Sequence, residues 1–266
     1  MYSLSEKVAL VIGGGQTPGG AVGMGRASSI TFAKAGAKVV VADISLESAQ
    51  ETVDIINEEG FVAVAKKVDI TSGESVEKLI SEISTDFGAL HVLQNTVGIS
   101  IAAGDTNILD IDLDTYTKIH NINLRGMVAA CKFAIPLMQR SGGGSIINIS
   151  SNSTLTSYPN VSYKTSKAGV EALTRQIAWM FAKDNIRANA ILPGYIDTPM
   201  AIEARLGIDG KSRTDLLAER AAQVPLGRVG TSFDIANVAL FFASEISNFI
   251  TGETLMVDGG QTLKVG

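Results

Sequence analysis

The chain is poor in the residues that build metal sites and covalent staples. Its 266 residues include one cysteine, two histidines, one tryptophan and six prolines. The lone Cys131 excludes an internal disulfide and fits a reducing compartment. His91 and His120 stand far apart with few ligand candidates beside them, so no catalytic metal is expected. Basic residues are outnumbered, 22 Lys and Arg against 27 Asp and Glu, and they form no stripe, which argues against a nucleic-acid surface. No apolar run approaches membrane-spanning length. The first residues lead straight into a strand-like run, so a cytoplasmic protein is expected.

Glycine and apolar residues are plentiful: 27 glycines and 45% hydrophobic residues suit one α/β domain over 1–266 with many tight turns. Strand-like runs at 7–12, 37–43, 61–68, 90–94, 144–149, 186–192 and 253–257 alternate with helical stretches. The helical stretches are 21–35, 46–59, 72–87, 111–140, a helix carrying Tyr163, and 233–244, with Pro136 expected to kink or break its helix. Such alternation predicts parallel strands with helices on both faces. Residues 199–230 are polar and read as a lid over a substrate.

Two stretches carry chemistry. Tyr163 and Lys167 are four apart, so on a helix they share a face. A phenol titrates near ~10, and an ammonium one turn away is expected to draw it down toward useful acid–base range. Taken alone, the pair also suits an ordinary amphipathic surface. The second stretch is the glycine-rich loop from Gly13 to Gly25, set between the first strand and the first helix. Glycines there let backbone approach a pyrophosphate at the helix N-terminus. Asp43 ends the second strand, where it would accept hydrogen bonds from an adenosine ribose and repel a 2′-phosphate. No Arg or Lys follows it in Ile44-Ser45-Leu46, so NAD is expected rather than NADP.

With both stretches in place, the chain resembles the short-chain dehydrogenase/reductase family over essentially its whole length. The matching pieces are the Gly13–Gly25 loop, Asp43, Asp69, Asn95 to Gly98, Asn121 to Gly126, Ile147 to Ser151, Tyr163 with Lys167, Pro193 to Pro199, and Val257 to Gly260. The resemblance implies a Rossmann-like, doubly wound α/β sheet of about seven strands. It also implies hydride transfer between NAD and an alcohol or ketone. Tyr163 is then the general acid/base, Lys167 its partner and a hold on the nicotinamide ribose, Ser151 the group on the substrate oxygen, and Asn123 a relay residue. Gly13, Gly23, Met24, Gly25, Asp43, Asp69, Ile70, Asn95, Gly98, Pro193, Gly194, Ile196 and Thr198 join Tyr163 and Lys167 around the cofactor. A homotetramer built on the helices of 111–140 and 157–183 is implied as well.

The serine assignment has two solutions. Counting forward from Gly144 favours Ser151, whereas the family spacing back from Tyr163 lands on Ser150; a loop one residue short makes Ser151 the preferred one. The sequence also departs from the family pattern. Nine residues separate Gly13 from Gly23, a long gap similar to that of the enoyl-thioester reductase branch. That branch, however, places its tyrosine where this chain has Asn160. Ile12 and Thr96 replace the family's usual residues on adjoining strands and are read as a coupled change. An enoyl or ketone reductase and a silent nucleotide sensor are the rival readings. Ser100–Thr106, Asn152–Tyr158, Tyr195 and the lid should face the substrate. In the lid, Met200, Ile202, Leu206 and Ile208 could cover an apolar body, and Arg205 and Arg213 could meet an anion or solvent.

Overall fold

Every residue of β1 (Val8–Ile12) is buried, as expected of a strand covered on both faces. In the computed structural model, which describes residues 2–206 and 211–263, β1 is an interior strand of a seven-stranded parallel sheet. It pairs with β2 (Lys38–Asp43) and β4 (Val92–Asn95), and the sheet continues through β3 (Ala63–Lys67) on one side and β5 (Gly144–Ile149) and β6 (Ile186–Pro193) on the other. A two-residue strand β7 (Ile196–Asp197) pairs with β8 (Gly230–Thr231) outside this sheet, and β9 (Thr254–Val257) closes its edge. The order is β3-β2-β1-β4-β5-β6-β9, so the winding reverses between β1 and β4. Ligand crevices in such sheets open at that reversal, beyond the carboxyl ends of the strands.

Alternation along β1 sends Leu10 and Ile12 into one apolar layer and Ala9 and Val11 into the other. The first layer is completed by α3 (Gly73–Phe87), α5 (Gly126–Arg140) and α6 (Val161–Phe181), through Leu79, Met138 and Ile177. The second is completed by α1 (Met24–Lys34), α2 (Leu46–Glu58) and α9 (Ser232–Ala243), through Phe32, Ile56 and Phe242. Both layers therefore hold the strand ends in place around the crevice. Among the described residues no helix is long and apolar enough to cross a membrane.

Four local differences from the sequence reading have physical causes. Helix α1 starts at Met24, not residue 21, because the Gln16 side chain holds Ala21 and Gly23 in the preceding loop. The stretch 111–140 is not one helix: α4 (Leu113–His120) passes through a wide π-helical turn, Asn121–Arg125, into α5. Pro136 does not end α5, since the carbonyl it frees, on exposed Lys132, can be solvated. The lid region contains α7 (Pro199–Ile202) and α8 (Arg213–Gln223), and β7–β8 ties its two ends together.

Candidate active site

Helix α6 presents Tyr163 and Lys167 one turn apart, beyond the end of β5. Its N-cap residue, Asn160, makes no side-chain cap. The carboxylate of Asp105, from the segment after β4, supplies the missing acceptors: Oδ1 takes the Ser162 N–H at 3.0 Å and Oδ2 the Tyr163 N–H at 2.8 Å. Asp105 is itself 7% exposed. It thus fixes the backbone that carries Tyr163. No local pattern could have shown this, because 57 residues separate Asp105 from Ser162.

Lys167 is 2% exposed and donates from Nζ to the Ile149 carbonyl at 2.8 Å. Gly98 makes room for it, since a Cβ there would lie 3.2 Å from Nζ. Burial pulls the Lys167 ammonium down to about 7. Tyr163 moves the opposite way from the sequence expectation. Desolvation, aided by neighbouring Tyr158, pushes its phenol up to about 12, and Ser151 and Arg205 offset this only in part. Its ring stays partly open to the crevice, yet the protein packed around the hydroxyl disfavours the phenolate. With ammonium lowered and phenol raised, the protein alone disfavours the charged form of both groups.

The two serines diverge. Ser150 turns its hydroxyl under α6, toward the Lys167 carbonyl at 3.0 Å and the Glu171 carboxylate at 3.1 Å. Ser151 accepts the Ser153 N–H at 3.1 Å and presents its hydroxyl to Tyr163. Of the two, only Ser151 neighbours the Tyr163 hydroxyl. Asn123 comes from the wide turn, the kind of irregularity that re-aims a side chain. Its amide clamps both backbone groups of Ile99, at 2.8 and 2.9 Å, and reaches Ser166 Oγ at 3.1 Å.

The nucleotide side is built from backbone. Gly13 has φ +82°, a region that favours glycine, and a Cβ on Gly25 would lie 1.9 Å from the Gly13 carbonyl oxygen. Gly23 caps α1 without a side chain, leaving the positive helix end open beside the loop. Asp43 takes the Gly15 N–H at 2.9 Å and the Ser45 N–H at 3.1 Å. Arg26 is spent on Glu51 at 2.7 Å and Thr52 at 2.9 Å. Thr96 N–H donates to the Ile12 carbonyl at 3.0 Å, so the two departures do touch. Within the long insertion, Gln16 binds the Gly23 N–H at 2.8 Å and the Ala21 carbonyl at 2.6 Å. Gly20 N–H reaches Glu203 at 3.1 Å, linking loop to lid.

The other expected residues have the following surroundings. The Asn95 side chain is in the core between Asn148, at 2.8 Å, and Cys131, and does not face the crevice. Asp69 accepts from Thr71 and caps its own turn, while Ile70 packs where Gly126 leaves room. Pro193 ends β6, and Gly194 lies so close to Asp258 that a Cβ would be 2.4 Å from the Asp258 Cβ. Ile196 is buried in β7, Thr198 caps α7, and Met24 opens α1. Ile202 is fully buried, and Ile208 lies outside the described residues. Among the described residues no three His, Cys, Asp or Glu converge to hold a metal.

A family model described as enoyl-(acyl carrier protein) reductase matches residues 19–262. The 2,5-dichloro-2,5-cyclohexadiene-1,4-diol dehydrogenase LinX of Sphingobium indicum is 36% identical over 265 residues, covering 98% of each chain. The 7α-hydroxysteroid dehydrogenase of Clostridium sardiniense is 35% identical over 264 residues, covering 99% of this chain and 96% of that one. A gluconate 5-dehydrogenase of Burkholderia cenocepacia J2315, solved in complex with NADP and tartrate, superposes with a TM-score of 0.87. It is 28% identical and is covered to 98%, against 99% of this chain.

Proposed function

The chain belongs to the short-chain dehydrogenase/reductase family of oxidoreductases, and we propose that it is an NAD-dependent dehydrogenase interconverting a secondary alcohol and a ketone. The observation carrying this reading is the convergence of Ser151, Tyr163 and Lys167 at the carboxyl end of β5, beside the glycine cradle. Tyr163 takes the hydroxyl proton in oxidation and returns it in reduction. Ser151 steadies the substrate oxygen as charge develops on it. Lys167 stands beside the phenol, and Asn123 holds Ile99 and Ser166 in register behind both. The oxidised nicotinamide, when bound, supplies the hydride acceptor and a positive charge that favours the phenolate.

Asp43 supports NAD: its carboxylate sits at the loop, and nearby Arg26 is committed to Glu51, so neither welcomes a 2′-phosphate. Gly13, Gly23 and Gly25 would receive the pyrophosphate, Asp69 and Ile70 the adenine side, and Gly98, Pro193, Gly194, Ile196 and Thr198 the nicotinamide side. One catalytic unit spanning 1–266, with 199–230 as its lid, working as a cytoplasmic homotetramer, completes the reading. Exposed Trp179 and Met180 on α6, together with Phe249, offer apolar surface for subunit contact. Enoyl reduction is the second reading, favoured by the long glycine loop. Against it, Asn160 offers no phenol and is buried at the start of α6.

Wild type and Tyr163→Phe are compared by NAD and NADP reduction over a panel of ring alcohols, sugars and hydroxysteroids. NAD-linked turnover should fall by roughly 10²–10⁴ in the variant, with NAD binding retained. Oxidation should speed up with rising pH and ketone reduction slow down, because the phenol must lose its proton to act as base. Turnover unaffected by Tyr163→Phe would end this reading, and reduction of enoyl thioesters without alcohol oxidation would replace it with the second.

A further inference from the structure

Among the described residues, two arginines beside the tyrosines have no carboxylate partner. Arg220, on α8, is 7% exposed, yet among the described residues neither it nor Arg205 forms an ion pair. Both guanidiniums converge on one oxygen, the Ala201 carbonyl, at 3.1 Å from Arg220 and 2.7 Å from Arg205. Nη1 of Arg220 is buried with no hydrogen-bond partner at all. Other lid-side arginines have carboxylate partners: Arg213, although its Nε is buried without a partner, meets Asp197 at 2.5 Å, and Arg228 meets Asp234 at 2.9 Å. Arg213, one of the two expected anion receivers, is thereby taken.

A buried guanidinium that shares one carbonyl with a part-exposed second guanidinium is costly to keep unless an anion joins it. Its position says where that anion comes from. The Arg220 guanidinium lies 5.0 Å over the Tyr195 ring, and the charge of Arg205 reaches Tyr163. Tyr158 packs against Tyr163 at 5.7 Å between ring centres and also lies within the field of Arg220. Burial and the neighbouring Arg205 hold the Arg220 guanidinium below its usual range, a stress that a nearby anion relieves. A carboxylate is planar and takes two parallel N–H bonds, which suits an arginine with a free Nη1.

We propose that Arg220 and Arg205 form a carboxylate-binding end of the substrate pocket, so that the substrate is a secondary alcohol bearing a carboxylate. This rests on the reading of Tyr163 as the acid/base for that alcohol. The competing role for the pair is structural, capping the carbonyl end of α7.

The test compares 4-hydroxycyclohexanecarboxylate with 4-hydroxycyclohexanecarboxamide, which differ in charge but hardly in shape, as substrates with NAD. Wild type should favour the carboxylate in kcat/KM by roughly 30-fold, the scale of one charged hydrogen-bonded contact. That ratio should fall about tenfold in Arg220→Gln and less in Arg220→Lys, which keeps the charge but loses the fork. If Arg220→Gln fails to fold, Arg205→Gln, on a part-exposed side chain, should show the same collapse of the ratio. Calorimetric titration with cyclohexanecarboxylate, in the presence of NAD, separates the two claims. Arg220-dependent binding without turnover of either alcohol would keep the carboxylate site and sink the dehydrogenase reading. Turnover with no carboxylate preference, or a preference unmoved in Arg205→Gln, would leave the arginines as caps of α7 and overturn the proposal.

Discussion

The two walls of the crevice are built by opposite means. At the Tyr163 wall, buried polar side chains hold every element: Asp105 caps α6, Asn123 clamps Ile99, and Lys167 binds the Ile149 carbonyl. At the nucleotide wall, side chains have been removed, and a Cβ on Gly14, Gly15 or Gly25 would meet an atom within 2.8 Å. The contrast follows from what each wall must touch. Acid–base chemistry needs particular side-chain atoms at fixed places, so neighbouring side chains must over-determine them. A pyrophosphate is best met by backbone N–H groups and a helix end, which requires empty space. The insertion 14–22 is an exception on the nucleotide side: side chains hold it, Gln16 from within and Asp43, Ser48, Thr52 and Ser232 from outside, and Glu203 ties it to the lid.

Breaking each wall should therefore fail in its own way. Gly25→Ala drives a methyl into the Gly13 carbonyl, and the overpacking should cost about 1–3 kcal/mol. NAD affinity, read by fluorescence titration, should fall at least about tenfold. Unchanged NAD affinity would show that the cradle is not the nucleotide site. Asp105→Ala attacks the other wall. Two N–H groups of α6 lose a charged acceptor, so stability should drop by about 1–3 kcal/mol, read by urea unfolding. Turnover should fall more than NAD affinity, because Tyr163 is carried on the freed turn. Asp105→Asn, which keeps one acceptor oxygen, should recover part of both. Equal loss of NAD binding and turnover would mean the walls are not independent.

How much of this was legible beforehand depends on whether the cause was local. Strands such as β1 and β6 were readable because their buried apolar runs end at Gly13 and Pro193, and the seven-stranded parallel order agrees with the reading. The Tyr163–Lys167 pair was readable because four residues make one helical turn. Ser150 and Ser151 were not separable by counting alone; neighbouring residues on an extended strand point to opposite sides, and only the packed α6 shows which side is the crevice. The core placement of the Asn95 side chain was hidden for the same reason. The wide turn at 121–125 leaves apolar spacing undisturbed, so nothing in the pattern marked it. The raised Tyr163 pKa was missed because spacing reveals a neighbouring charge but not the desolvation that outweighs it.

The smallest expected effect lies far from both walls and serves as their control. His91 precedes β4 at the amino end of the sheet, where its Nδ1 accepts the Val8 N–H at 3.0 Å. Accepting requires that nitrogen to be unprotonated, and burial, with nearby Lys7, lowers the imidazole pKa from its ordinary 6.5. The folded state thus binds a proton less readily than the unfolded chain. Stability from this group is full above the unfolded pKa near ~6.5 and declines as pH falls through the lowered folded value. His91→Gln removes the titration. The pH slope of unfolding free energy between the two states should then differ between wild type and variant by no more than about 1.4 kcal/mol per pH unit, the limit for one proton. Urea midpoints at several pH values measure it, and NAD affinity measured alongside should follow fold stability alone. A change in turnover at pH 8, where His91 is neutral in both states, would show that the amino end of the sheet reaches the crevice after all.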